Sequence, residues 1–268
     1  MIENIRKKFF KEFSKNPEYY TETDVTRVRN EDWIIERFLK DNDNSEDRAY
    51  DELVRTLKWK RLYGIHDRTD QYFPKEFYDL HHIEIYGRDR DGRLVHWETT
   101  RNLVKINDFT PLEQQFLGHR LEKLDSLAGR AGWTLVTDCS GSGLPNVSLE
   151  MWRFRIDLLQ YYPQAVGRIL IVDLPPILAP IMRIILSMMP PKLQRKATLV
   201  TRQQLTRYID PEYIPRRMAG GREDFVRSLM DVTGLKPMDQ LTHLPIKDRQ
   251  IELYRNKHQM IIKRTRLI

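Results

Sequence analysis

One cysteine, Cys139, is all this chain has. That excludes an intramolecular disulfide and fits a reducing compartment. No run approaches the ~20 apolar residues that a transmembrane helix needs. The opening MIENIRKKFFKEF has no apolar leader core, so a cytoplasmic chain is expected. Zinc-finger spacing and an aromatic RNP-like strand are both missing, and no nucleic-acid partner is expected. None of the histidines (His66, His81, His82, His96, His119, His243, His258) stands at metal-ligand spacing from Cys, Asp or Glu, so no metal is expected. No carboxylate pair stands apart from solvated helix faces, and there is no internal repeat or low-complexity tract.

What is present is a globular composition in 268 residues, 40% hydrophobic and 31% charged. The formal net charge of +7 suits an anionic surface or an acidic partner. Residues 1–70 read as a small helical module. Ile2, Ile5, Phe9 and Phe13 recur at helical spacing, Ile34, Ile35, Phe38 and Leu39 form a second apolar face, and Ala49, Leu53 and Leu57 a third. Asp24 is placed to cap a turn and Ser45 to cap the third helix.

The pattern then changes. Apolar residues around GRDRDGR, with the Asp91-Gly92 pair, predict a hairpin. Thr110-Pro111-Leu112-Glu113 reads as a capping box opening a helix that runs to Gly129. WTLVTD (133–138), a helix over 148–162 and RILIVD (168–173) form a βαβ unit with parallel strands covered on both faces. Ala197 to Thr201 can add a strand, which makes the middle of the chain α/β. Phe225, Leu229 and Val232 suggest a helix over 222–233, stopped at Gly234, and the last stretch is basic.

Two stretches resemble chemistry. TDCSGSGLPN begins like a dinucleotide fingerprint, but Asn146 stands where the third glycine is needed. Cys139 has no arginine six residues on, and Ser140 and Ser142 lack a hydrolase elbow. A tight turn and a buried thiol are expected there, and no enzyme. The other stretch runs from Tyr161 to Gly221: a strand, two prolines, a helix carrying Ile181, Met182, Ile184, Ile185, Met188 and Met189 with Arg183 its one charge, two more prolines, and a basic turn. An ordinary core helix has this periodicity. Methionine adapts to varied apolar partners, and Pro180, Pro190 and Pro191 isolate the helix as a unit that can swing, so a lid over an apolar ligand is the competing reading.

In their order along the chain, RFLK (37–40), LKWKR (57–61), GRDRDGRLVHW (87–97), LVTDCSG (135–141), YYP (161–163), RILIVDLPP (168–176), KLQRKATLV (192–200) and the IP…GG of 214–221 resemble the CRAL-TRIO lipid-binding family. The short basic helix before DVTRVRNEDWIIERFLK makes the chain most similar to the CRAL-TRIO module of motile sperm domain-containing proteins. Those proteins also carry a motile-sperm-protein domain and a membrane anchor, and the tethering role these confer is not carried over. The resemblance implies an α/β domain over 71–222, a mixed, largely parallel sheet flooring an apolar pocket, with a basic helical extension over 223–268. It implies a gate made of Ile177, Ile181, Met182, Ile184, Ile185, Met188 and Met189, and hinges at Gly167 and Gly221. The family's headgroup positions fall on Gln164, Leu193 and Lys196, where phosphoinositide binders carry glutamate, threonine and lysine. Only the lysine is retained, which weakens the case for an inositol headgroup.

The implied ligand is a bound lipid, a phospholipid foremost, with no other cofactor. Each methylene is worth ~0.8 kcal/mol of burial, so releasing two long chains into water costs on the order of 20 kcal/mol. Exchange then requires docking on an anionic membrane surface, where each basic residue contributes ~1 kcal/mol. Arg195, Lys196, Arg216, Arg217 and the two basic termini are the candidates for that contact, and a peripherally membrane-associated protein is expected. The alternative is a protein-interaction module that keeps the fold without lipid transfer; protein partners are not indicated by the sequence.

Overall fold

The computed structural model describes residues 1–224, 233–244 and 246–266, the last three without their side chains. The helix expected over 222–233 lies largely outside the described residues.

Four helices, not three, build the N-terminal module: α1 (Ile2–Phe13), α2 (Glu22–Asn30), α3 (Asp32–Asp41) and α4 (Glu46–Tyr63). The additional helix, α2, buries only Val25 and Val28 among its apolar residues, too few for a readable stripe. Thr21 caps it, its hydroxyl accepting from the Asp24 N–H at 3.2 Å. Asp24 therefore sits inside the first turn and is not the cap. The expected cap at Ser45 occupies the N-cap position but makes no side-chain bond, while Gly64 closes α4 in the left-handed conformation. Ile5, Phe9, Ile35, Phe38, Leu53 and Leu57 meet in the module's own core.

A short helix α5 (Lys75–Asp79) leads into a five-stranded sheet: β1 (Ile83–Arg88), β2 (Leu94–Thr99), β3 (Trp133–Asp138), β4 (Val166–Val172) and β5 (Ala197–Val200). Strand order follows chain order, with β1 antiparallel to β2 and all other pairs parallel. The crossovers are α6 (Thr110–Ala128), α7 (Leu149–Leu159) and the pair α8 (Ala179–Met188) and α9 (Pro191–Gln194). Alternation decides what each face meets. Leu94, Trp133, Leu135, Ile169 and Ile171 point toward α6, α7 and α8. Val95, Trp97, Val136, Leu170 and Val172 point the other way and pack under Leu205, Ile209, Ile214 and Met218. The strands are covered on both sides, as continuous apolar runs require. The last described helix, α10 (Asp248–Arg266), packs its Tyr254 with Phe77, Phe109 and Phe116.

Two buried ion networks tie the layers together. Between the helical module and α6, Arg37 donates twice to Asp125 at 2.9 Å and once to the Pro163 carbonyl at 2.8 Å. Beside it, Lys60 pairs with Glu122 at 2.7 Å, and the Tyr162 hydroxyl donates to the same carboxylate at 2.8 Å. On the opposite face, Glu84 receives Arg217 at 3.3 Å and Arg222 at 3.5 Å, which holds the 214–222 segment to β1.

Candidate ligand cavity and gate helix

Pro175 and Pro176 follow β4 and cannot extend it, so the chain turns through a short 3-10 helix into α8. Pro180 in the first turn of α8 needs no N–H partner, and Met189-Pro190 ends the helix. Met182, Ile185 and Met189 are buried among the sheet and α7, with Ile181, Leu186 and Met188 partly buried beside them. Ile177 and Ile184 lie on the outer side, 63% and 50% exposed, together with Arg183. The helix looks apolar all round in sequence because its solvent side is apolar as well.

Two of the three headgroup positions, Gln164 and Lys196, lie near Asp41 of the helical module, and both of their side chains are bonded within the chain. The Gln164 amide donates to Asp41 at 2.8 Å. Lys196 donates to the Val166 carbonyl at 2.7 Å, and burial lowers its pKa. Leu193 packs against the α8 side of the core. Of the basic residues expected to face a membrane, Arg195 and Arg216 are exposed, whereas Arg217 is buried against Glu84 and is unavailable. Gly167 sits inside β4, where a Cβ would come within 2.2 Å of the Arg93 side chain. Gly221 has ordinary space, and it is Gly220 whose Cβ would strike the Ile214 carbonyl at 2.0 Å.

The cavity lies elsewhere on the same face of the sheet, between the first turns of α6 and α7, and is open to solvent. Phe77, Leu80, Phe116, Leu117, Met151 and Trp152 make apolar walls, and Tyr254 of α10 closes one side. None of the gate or headgroup residues lines it. Of its polar groups, His82, Glu98 and Arg155 gather on the sheet floor and the α7 wall, while Lys105, Thr110 and Glu113 line the α6 side. Glu98 projects from β2 and accepts a hydrogen bond from Arg155 Nη1, and the Arg155 guanidinium lies 4.9 Å over the Trp152 ring. His82 borders the same space. Burial, with Arg155 and Arg120 nearby, pushes the His82 imidazole down to about 3. His96 is held well down for the same reasons, and burial raises the Glu98 carboxyl. Glu113 does not complete a capping box: Thr110 is already helical, Phe109 holds the N-cap position without a side-chain bond, and the Glu113 carboxyl faces the cavity, pushed up to about 8 by desolvation.

The expected tight turn forms after β3. Ser140 donates from both its N–H and its hydroxyl to Asp138 at 2.9 and 2.6 Å, and Gly141 has a φ of 66°. Burial drives the Cys139 thiol up to about 12, far from a nucleophile's range. Sequence spacing did not bring Asp24, His66 and Glu122 together, because they come from three distant segments, yet their ligand atoms lie within 4.8 Å of one another. They could surround a cation geometrically. Arg27 and Lys60 already occupy Glu122, at 3.0 and 2.7 Å, which makes the cluster an ion-pair network.

The CRAL/TRIO domain model matches residues 80–220, from just before β1 through the last turn on the far face of the sheet. Among solved structures, the crystal structure of Sfh5 is similar with a TM-score of 0.61 and 17% identity, over 92% of this chain and 85% of that one. At that identity the likeness is one of fold.

Proposed function

Because this chain belongs to the CRAL/TRIO domain family, we propose that it is a non-catalytic binder of a hydrophobic ligand, a phospholipid or a related amphiphile, which it exchanges at a membrane surface. The observation that carries the reading is the cavity over the sheet, whose walls are mostly apolar, with His82, Glu98 and Arg155 together at the sheet floor. Such a site fits a molecule with a long apolar body and one head. Burial of the body supplies the affinity, and the polar end sets orientation. No described helix is long and apolar enough to cross a membrane, and in this reading the protein meets a bilayer through its surface. The exposed Ile177 and Ile184 beside Arg183, with Arg195 and Arg216 exposed as well, supply apolar and basic groups for it.

Organic extraction of the purified protein followed by mass spectrometry should yield a stoichiometric lipid, and the protein should move labelled lipid between liposomes. An empty extract together with no transfer would refute the proposal. That outcome would favour a protein-interaction module, a reading supported by the way Met182, Ile185 and Met189 fill the space beneath α8.

A further inference from the structure

Helix α10 has two faces of different chemistry. On the inner face the Tyr254 ring is 2% exposed, lies 4.6 Å from Phe109 and 5.5 Å from Phe77, and lines the cavity. Ile251 and Ile261 pack beside it, only partly buried. His258, one turn on, is buried, and neither of its ring nitrogens has a hydrogen-bond partner among the described residues. Arg255 donates to Asp239 at 2.7 Å and stands 3.9 Å from Glu76, and Lys257 Nζ donates to the Lys105 carbonyl at 3.1 Å. Lys105 is itself exposed and lines the cavity. Exposed ion pairs contribute little, and a buried imidazole without partners costs free energy, so this face holds mainly through Tyr254.

The outer face carries other groups. Leu253 and Met260 fall on one side of the helix by their spacing and are 46% and 56% exposed. Arg249, Lys257 and Lys263 stand exposed along the same side. The acids of the helix, Asp248 and Glu252, line the groove beside the 3-10 turn Met238–Gln240 instead. The outer stripe therefore combines large apolar side chains with cations and has no carboxylate. Such a stripe matches the surface of an anionic bilayer, with its apolar groups at the headgroup boundary and its cations against lipid phosphates. An acidic peptide would answer the cations and leave Leu253 and Met260 in water.

We propose that α10 docks on an anionic bilayer through this stripe and is the movable wall by which the cavity meets the membrane. Lys257 belongs to both states. In the structure it latches α10 to Lys105 at the cavity, and a lipid phosphate competes with that carbonyl for it. Once the latch is released, Tyr254 withdraws and the cavity widens on the side that faces the lipid. This rests on the reading of the chain as a lipid binder and adds where the lipid enters and what admits it. The placement favours α10 over α8 for this step: α8 packs on α7 and lines no part of the cavity, whereas α10 forms part of its wall.

The test uses the full chain with vesicles of phosphatidylcholine, alone or containing phosphatidylserine. Arg249→Gln with Lys263→Gln should weaken binding to the phosphatidylserine vesicles about 25-fold, roughly fivefold for each cation at an anionic surface. Binding to pure phosphatidylcholine should not change. Both side chains are exposed, so the fold is kept. Undiminished binding overturns the α10 surface. The movable wall is tested by Asp239→Cys with Arg255→Cys, joined through a reducible bis-maleimide linker; Cys139 is buried, its thiol pushed up to about 12, and stays unlabelled. The linked protein should still bind the vesicles but stop moving pyrene-labelled phosphatidylcholine between them, and reduction should restore transfer. Equal transfer before and after reduction overturns the movable wall while leaving lipid binding intact. No transfer in either state, with no lipid in the organic extract, overturns the lipid-binding reading and the wall together, and the vesicle comparison then decides the docking surface by itself.

Discussion

Glu113 shows how one residue changes meaning between sequence and structure. Three positions after Thr110 and behind a proline, it has the spacing of a helix-capping acid. The helix begins with Thr110 inside it, so the carboxyl turns toward Phe77, Phe116 and Tyr254 at the cavity, where desolvation raises it to about 8. A carboxyl raised in the folded state keeps a proton that the unfolded chain has released. Stability is then lost as pH rises from the unfolded value of about 4.3 toward the folded one. Glu113→Gln removes that loss. It should be close to neutral in acid and stabilise by about 1 kcal/mol at alkaline pH, less than full linkage because the side chain is partly exposed. Urea unfolding at the two pH values measures this, and equal effects at both would refute the raised carboxyl.

At the scale of an element, α8 is a helix with two apolar sides and different duties for each. Ile184 and Ile185 are adjacent in sequence, yet Ile184 is 50% exposed and Ile185 is 1% exposed. Placing Asp at both would therefore unfold the helix and say nothing about gating. Ile177→Asp with Ile184→Asp should leave the melting temperature nearly unchanged while reducing liposome binding and lipid transfer, because only solvent-facing apolar area is removed. Ile185→Asp buries a charge without a partner and should destabilise by at least about 3 kcal/mol, read from denaturant midpoints. Unimpaired transfer in the exposed double variant would exclude the outer face of α8 from membrane contact.

The whole molecule is held together at a polar seam. Asp125 is buried, and burial alone would raise its carboxyl, but Arg37, Lys60 and Arg27 outweigh that and pull it down. Through Asp125 and Glu122, the helical module is fastened to α6, and Tyr162 and the Pro163 carbonyl extend the seam toward β4. RFLK and YYP, quoted above for family resemblance, thus supply its contacts. Asp125→Asn leaves Arg37 buried with half its pairing and should cost about 3–5 kcal/mol. Because the folded carboxyl lies below its unfolded value, the pair's contribution is full above that unfolded value, about 3.9, and disappears as pH falls through the folded one. Chemical denaturation of the variant at neutral pH checks the cost, and a loss under 1 kcal/mol would mean that the remaining partners hold the seam without Asp125.

The sequence by itself determined the parts governed by local periodicity and by chain order. WTLVTD is β3 at the boundaries read for it, the helix read over 148–162 runs Leu149–Leu159, and β3 and β4 flank that helix in a parallel unit. Apolar runs dictate burial wherever they occur, and short crossovers leave few topologies, which is why the α/β core was legible. Helix α2 was not, since two valines in nine residues carry too little signal. Tertiary structure alone decided which side of α8 is buried, that Arg217 turns inward to Glu84, and that the cavity opens between α6 and α7, away from the residues a motif would nominate. The physical reason is the same in each case. A helix apolar on all sides has no preferred face until something packs on it, and a cluster such as His82, Glu98, Arg120 and Arg155 exists only after four separate segments have been brought to one end of the sheet.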